Sequence, residues 1–223
     1  MILGLLYTQM LTNINASFIF PATEARLANR LINTLGNKFT NFEAFPLYGM
    51  NSFFQTWRNG LSKAKKKYLV LTHQDVEFIS IPDLDKIFSE NTGMIGPAGT
   101  KIITKKDPWW FSPGRLENNH LSGEVFHKKG GKRMTKSFYG KYGEVLVLDG
   151  VCLITEKEIL AKVGVPKITW ARWDFYDHVI SLKFINKGYT LKTSPIKLVH
   201  FSSGEKRRPD YFKNQEIFVK TYF

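Results

Sequence analysis

Tyr68-Leu-Val-Leu-Thr72, continued by His73-Gln-Asp75-Val76, is the stretch from which the rest of the chain is read. An apolar run without polar alternation reads as a strand buried on both faces. This one ends in an imidazole and a carboxylate, and in open α/β sheets ligands gather beyond the carboxyl ends of the strands. Asp is a hard oxygen ligand suited to Mg2+ or Mn2+, ions that usually also bind substrate phosphates. Taken alone, the tripeptide also fits a plain turn, with Asp75 as a cap and His73 bonded to backbone.

Upstream of this strand, Ser17 to Phe20 reads as a short buried strand ending at Pro21. Thr23 then caps a helix from Glu24 to Leu35, in which Leu27, Leu31, Ile32 and Leu35 recur at helical spacing and Gly36 is the stop. Phe39 to Leu47 reads as a second strand, interrupted by Pro46. Asn51 to Ala64 fits a helix with Phe53, Phe54, Trp57 and Leu61 as its apolar stripe. This β-α-β-α-β order predicts an open, mostly parallel sheet. Downstream come a short helix behind Pro82, ended by Gly93, and a strand from Met94 to Ala98. Val145 to Thr155 reads as one strand, with a helix starting near Glu156. Asp174 to Lys187 is an amphipathic helix capped by Gly188, and Tyr189 to Thr193 a closing strand. Residues 99–144 break the rhythm and read as a long basic loop or insertion. No repeat and no linker divides the chain, so one domain over residues 1–223 is expected.

Composition narrows the class. Hydrophobic residues make up 43% and aromatics 14% of 223 residues, enough for a sizeable core and too much for global disorder. A single cysteine, Cys152, excludes an intramolecular disulfide and a Cys-rich zinc site, and its apolar surroundings predict a buried, inert thiol. The start, Met1 to Leu11, lacks a basic leader, and no run reaches the roughly 20 apolar residues of a membrane span. A cytoplasmic protein is expected. The net charge of +13 attracts nucleic acid, anionic membrane surfaces or phosphorylated ligands without choosing among them. The excess concentrates in residues 101–141, with ten Lys or Arg against Asp107, Glu117 and Glu124. Smaller clusters are Lys63 to Lys67 and Lys206 to Arg208.

The order of further segments carries a resemblance. Asn59-Gly-Leu61 and Ala64 precede Tyr68 to Val76. After it come Met94-Ile-Gly-Pro-Ala-Gly99, Leu148-Asp-Gly-Val-Cys-Leu-Ile-Thr155 and Trp173-Asp-Phe-Tyr-Asp177 with Ser181-Leu182. Pro195-Ile196 and His200-Phe-Ser-Ser-Gly204 close the series. Together, over residues 15–204, these resemble the family-2-like glycosyltransferases of the GT-A type, in particular the branch first described in streptomycin biosynthesis. The resemblance implies a single GT-A domain of the nucleotide-diphospho-sugar transferase, Rossmann-like kind. It also implies transfer of a sugar from a nucleotide-sugar donor to a hydroxyl of a glycan or lipid-linked saccharide, with inversion.

Roles follow from the same resemblance. Asp75 matches the last acid of the metal-binding motif, and His200 the histidine that completes coordination of Mn2+ or Mg2+. His73, Pro21 and Asn59 fall on the donor side. Asp177 stands at the place of the general base, a carboxylate that takes the acceptor's proton. Asp149, Gly150 and Asp174 fall on the acceptor side. In the basic stretch, Trp109 and Trp110 are further acceptor contacts, since aromatic faces stack on sugar rings. Arg115 and His120 lie beside them. Two positions depart from the pattern: Val179 replaces a second Asp, and Asp174 stands where a His is common. A basic nucleic-acid-binding protein is the alternative, disfavoured because no nucleic-acid motif is present. A GT-A fold serving only as a binding module is a further alternative. Nothing in the sequence bears on the oligomeric state.

Overall fold

The computed structural model describes residues 11–88, 91–128, 130, 132–201 and 209–223. Residues 1–10 and 202–208, which include the apolar start, the Lys206 to Arg208 cluster and the end of the His200 motif, lie outside the described residues. The chain begins with β1 (Thr12–Ala22), α1 (Ala25–Gly36), β2 (Phe39–Tyr48), α2 (Phe53–Lys63) and β3 (Tyr68–Thr72). Next are β4 (Val76–Ser80), α3 (Leu84–Ile87), β5 (Thr92–Gly96), β6 (Ala98–Thr100), α4 (Pro113–Glu117), β7 (Leu121–His127) and β8 (Thr135–Gly140). The last part holds β9 (Glu144–Val145), β10 (Val147–Leu148), β11 (Cys152–Glu156), α5 (Lys157–Val163), α6 (Tyr176–Asn186), β12 (Thr190–Thr193), β13 (Lys197–His200) and α7 (Tyr211–Tyr222).

The first half follows the sequence reading closely. β1 pairs in parallel with β2 on one side and β3 on the other. Ser52 caps α2 by accepting from the Gln55 amide, as a helix start of this composition should. Every residue of β3 is buried, and Leu69, Val70 and Leu71 are fully so. Each such side chain contributes roughly 1.5–3 kcal/mol by burial, which fixes this strand inside the sheet. Phe18 on β1 gathers Phe39, Phe42 and Phe78 around it, with ring centroids 5.4–6.2 Å away. Pro46 does not interrupt β2. It pairs with Phe20, and β2 lies at the sheet edge, where a missing N–H goes unpunished.

Thr23 is not the cap of α1. Glu24 stands at that position without a side-chain bond, and Thr23 instead accepts from the Gln74 side-chain amide at 2.6 Å. The Gln74 carbonyl accepts from the Thr23 N–H at 2.9 Å. The end of β1 is thereby tied to the loop after β3.

The expectation of a mostly parallel sheet is corrected. The seven-stranded sheet has the order β2-β1-β3-β11-β5-β12-β9, and β11 runs antiparallel to both β3 and β5. A parallel neighbour needs a long crossover, usually a helix. β11 instead follows β10 of the second sheet after the short turn at residues 149–151, and enters between β3 and β5 against their direction. Val145 to Thr155, read as one strand, is therefore three. Gly93 is likewise inside β5 rather than a helix stop.

The long basic loop is corrected too. Residues 99–144 contain most of β6 and all of α4, β7 and β8. They help build a second, mainly antiparallel sheet of order β10-β6-β7-β13-β4, with β8 paired to β7 alone. β8 is solvated on its charged face, with Lys136 and Phe138 exposed, so no apolar run marks it in the sequence. Cys152 is buried in β11, as expected, and burial pushes its thiol pKa up. No helix among the described residues is long and apolar enough to cross a membrane.

Candidate functional site

The three residues His73, Asp75 and His200 come together although 125 residues separate the last two. β3 delivers His73 and Asp75 at its carboxyl end. β13 delivers His200, because its register against β4 sets His200 opposite Val76. The backbone locks this pairing, with the Phe201 N–H donating to the Asp75 carbonyl at 2.8 Å. His73 Nδ1 lies 3.7 Å and His200 Nε2 3.5 Å from Asp75 Oδ1. One ligand atom from each of the three falls within 4.8 Å of the others.

Burial acts to raise the Asp75 pKa, but the contact with His200 and the charges of His200 and His73 outweigh it and bring the carboxyl to about 2. It is thus an ionised oxygen ligand at neutral pH. Two imidazoles and one carboxylate form a nitrogen and oxygen donor set able to hold a divalent ion such as Mn2+ or Mg2+. An ion held by these three residues would keep positions free for a diphosphate.

His73 is aimed by its other nitrogen. Its Nε2 is 2.8 Å from the Tyr176 hydroxyl at the start of α6. The ring of Phe53, from α2, stacks on both His73 and Tyr176 at 5.1 and 3.9 Å. Such outer partners fix the orientation of a metal-binding imidazole. Tyr176→Phe is therefore expected to weaken Mn2+ binding by about 10- to 100-fold while the protein stays folded. Titration calorimetry checks this, and an unchanged affinity would remove Tyr176 from the site.

The turn 149–151 closes the site from β10. The His73 N–H and the Thr72 hydroxyl both donate to the Val151 carbonyl, at 3.3 and 2.8 Å. At Gly150 a side chain would collide with the Tyr176 hydroxyl, so only glycine lets the turn lie against that ring. Asp149 is half-buried, and its Oδ1 accepts from the Val151 N–H at 3.2 Å. Burial, with nearby Asp177 adding to it, pushes its pKa up to about 6.

Asp177 is 4% exposed. Its Oδ2 accepts from the Gly150 N–H at 3.3 Å, and its Oδ1 faces the His178 N–H and Nδ1 at 2.9 and 2.7 Å. Phe175, just before it, takes a left-handed conformation with φ 60° and turns the chain into α6.

The remaining candidates divide. Pro21 is buried near the end of β1, just before the Thr23–Gln74 bonds, so it sits beside the His73-to-Asp75 loop. Asn59 bonds to Met50 Sδ at 3.3 Å on α2. Trp109 stacks on His178 and meets Phe175 and Tyr211 edge-on, as a core element. Trp110 is 8% exposed and packs on Tyr139, whose pKa burial and then the Asp149 charge raise to about 12. That places Tyr139, which the sequence did not single out for the site, on the Asp149 side. Arg115 is buried and fully used, donating to the Trp109 and Asp107 carbonyls and pairing with the Asp107 carboxylate at 3.2 Å. Lys66 and Lys67 bind Asn41 and Asp85 at the opposite end of β3, away from the site. Asp174 lines an open cleft of about 430 Å3 with Trp170, Trp173, Asp210 and Lys213. Trp173 meets Phe53 edge-on at 5.1 Å, so one aromatic layer separates this cleft from His73.

The fold is α/β with two mixed sheets, and the His/Asp cluster lies at its strand ends, where ligands gather in such folds. The chain belongs to the glycosyltransferase-like family, whose model matches residues 26–222. No curated protein matches it significantly in sequence. Among solved structures, GalNAc-T7 with UDP, GalNAc and Mn2+ superposes with a TM-score of 0.62 at 12% identity, over 96% of this chain and 48% of that one. The catalytic domain of Drosophila beta1,4-galactosyltransferase 7 with xylobiose gives a TM-score of 0.54 at 10% identity, over 94% and 80%. The chain thus spans about half the length of GalNAc-T7, and these two likenesses are of fold.

Proposed function

We propose that the protein transfers a sugar from a nucleoside-diphosphate sugar to a hydroxyl of a glycan or lipid-linked saccharide, with inversion at the anomeric carbon. The observation that carries this is the His73, Asp75 and His200 cluster at the strand ends of a glycosyltransferase-like chain. The GalNAc-T7 neighbour holds UDP, a sugar and Mn2+ in a related fold, which supports the reading. Within the family we favour the branch associated with streptomycin biosynthesis, on the Leu148-Asp-Gly150 and His73-Gln-Asp75 segments.

Asp75, His73 and His200 would hold Mn2+ or Mg2+, which when bound neutralises charge developing on the leaving diphosphate. Gln74 and Thr23 brace the loop that carries these ligands. Pro21 and Asn59 are proposed for the donor side. Asp149, Gly150, Trp110 and Asp174 are proposed for the acceptor side, with Trp109 supporting them from behind. A carboxylate of the Asp149 and Asp177 pair takes the proton from the attacking hydroxyl. The basic surface favours acceptors that carry phosphate or sit at an anionic membrane face.

A panel of UDP- and GDP-sugars, each with Mn2+, Mg2+ or a chelator, tests the reading by diphosphate release. At least one sugar is expected to turn over with Mn2+, with the rate lost in chelator. Binding of nucleotide without any turnover would make the chain a binding module instead.

A further inference from the structure

Two carboxylates flank the turn at Gly150, and they are not equivalent. Asp177 lies 4% exposed on α6, with Oδ2 on the Gly150 N–H and Oδ1 on the N–H and ring of His178. The imidazole itself is fully buried, under the Trp109 ring. A group so enclosed has no open face for a sugar hydroxyl, and using it as a base would break contacts that hold the turn. Asp149 has the opposite character. It is half-buried, and among the described residues only its Oδ1 is engaged, by the Val151 N–H. The turn is fixed on both sides, with the Asp149 N–H on the Ala98 carbonyl at 2.9 Å and the Val151 carbonyl on His73 and Thr72. Oδ2 is therefore a held but unengaged acceptor, next to the residues that ring the metal cluster.

We propose that Asp149 is the catalytic base and that Asp177 is a positioning residue that holds the turn beneath it. The assignment rests on the transferase reading above. The acceptor oxygen bonds to the anomeric carbon while the bond from that carbon to the diphosphate oxygen breaks. Its electron pair leaves with the nucleoside diphosphate, and the hydroxyl proton passes to Asp149 Oδ2. The Asp149 charge acts on Tyr139, and Trp110 meets the Tyr139 ring edge-on at 5.5 Å. These two rings supply the wall on which an acceptor sugar would lie.

The charged and titratable groups around Asp149 are Asp177 and His178 on α6, His200 on β13, Tyr139 on β8 and Cys152 on β11. Burial and Asp177 together raise its affinity for a proton, which suits a group that must accept one near neutral pH.

Azide separates a missing base from a misplaced one, because it attacks carbon with no proton to lose. Diphosphate release is measured with Mn2+, the active donor of the panel, and either p-nitrophenyl glycosides or sodium azide. Asp149→Asn is expected to bind UDP and Mn2+ as the native protein does by calorimetry. Its transfer to hydroxyls should fall by about 10²- to 10⁴-fold, the usual worth of a general base. Its azide-driven release should match that of the native protein, and Asp149→Ser should behave alike. Asp177→Asn is expected to lose hydroxyl and azide reactions together, through the displaced turn. The assignment is overturned if Asp149→Asn keeps more than a tenth of its hydroxyl transfer, or if azide fails to restore it. It is equally overturned if the azide pattern appears at Asp177→Asn. A native protein that releases no diphosphate from any donor sinks the transferase reading itself, a result distinct from these.

Discussion

Asp75→Asn will bind Mn2+ more than about 100-fold more weakly than the native protein, and metal-stimulated nucleotide binding will go with it. The size follows from position: loss of an outer partner alone costs about 10- to 100-fold, and Asp75 is the only carboxylate of the cluster. Asn keeps the shape and one oxygen but removes the charge. Calorimetry of Mn2+ with and without UDP is the measurement, and an affinity within threefold of native would place the metal elsewhere. The same substitution has a signature in acid. The folded pKa of Asp75 is depressed from 3.8 to about 2, so its stabilisation is complete above pH 4 and is lost as pH falls toward 2. That loss amounts to up to about 2 kcal/mol, and the Asn variant should lack this part of the acid dependence.

Gly123→Ala is expected to be the most damaging single change to the fold. Gly123 on β7 has φ 90°, and a Cβ there would run into the Pro97 carbonyl. Backbone, unlike a long side chain, has nowhere to go. Strain of this kind together with the collision should cost about 3 kcal/mol or more, a drop of roughly 6–12 °C in Tm for a domain of this size. Circular dichroism melting of the metal-free protein decides it. A midpoint within 2 °C of native would mean that β6 and β7 part more easily than their pairing implies.

The sequence announces what burial and periodicity control. β3 was legible to the residue because five consecutive positions are buried, and α2 because Phe53, Phe54 and Trp57 share a stripe. The cluster of His73, Asp75 and His200 came from the order of motifs, since nothing local links two positions so far apart. Direction was less legible. β11 enters the sheet against β3 and β5, and residues 145–155 look apolar whichever way they run. β8 escaped notice because its side chains alternate between a charged face and a half-buried one. Tyr139 was hidden with it. Arg115, set beside Trp109 and Trp110 in the sequence, closes its guanidinium on Asp107 and the Trp109 carbonyl, an arrangement that no local pattern marks. α7 also went unpredicted, although its Phe218 meets His178 edge-on and its Tyr211 packs on Phe175 and Trp109 beside it.

That β8, among the described strands, hydrogen-bonds to β7 and to no other has an evolutionary consequence. Mutations in an outermost strand disturb one partner, whereas a change in β3 is felt on both flanks and on both faces. Like β2, β4, β9 and β10, the other strands at sheet ends, β8 is therefore freer to drift under selection than a central strand. Because the Asp149 charge reaches Tyr139 on that strand, drift there would be felt at Asp149 before it touched the cluster of His73, Asp75 and His200. Descendants of one ancestral chain could change at this margin while the cluster at the strand ends kept its form.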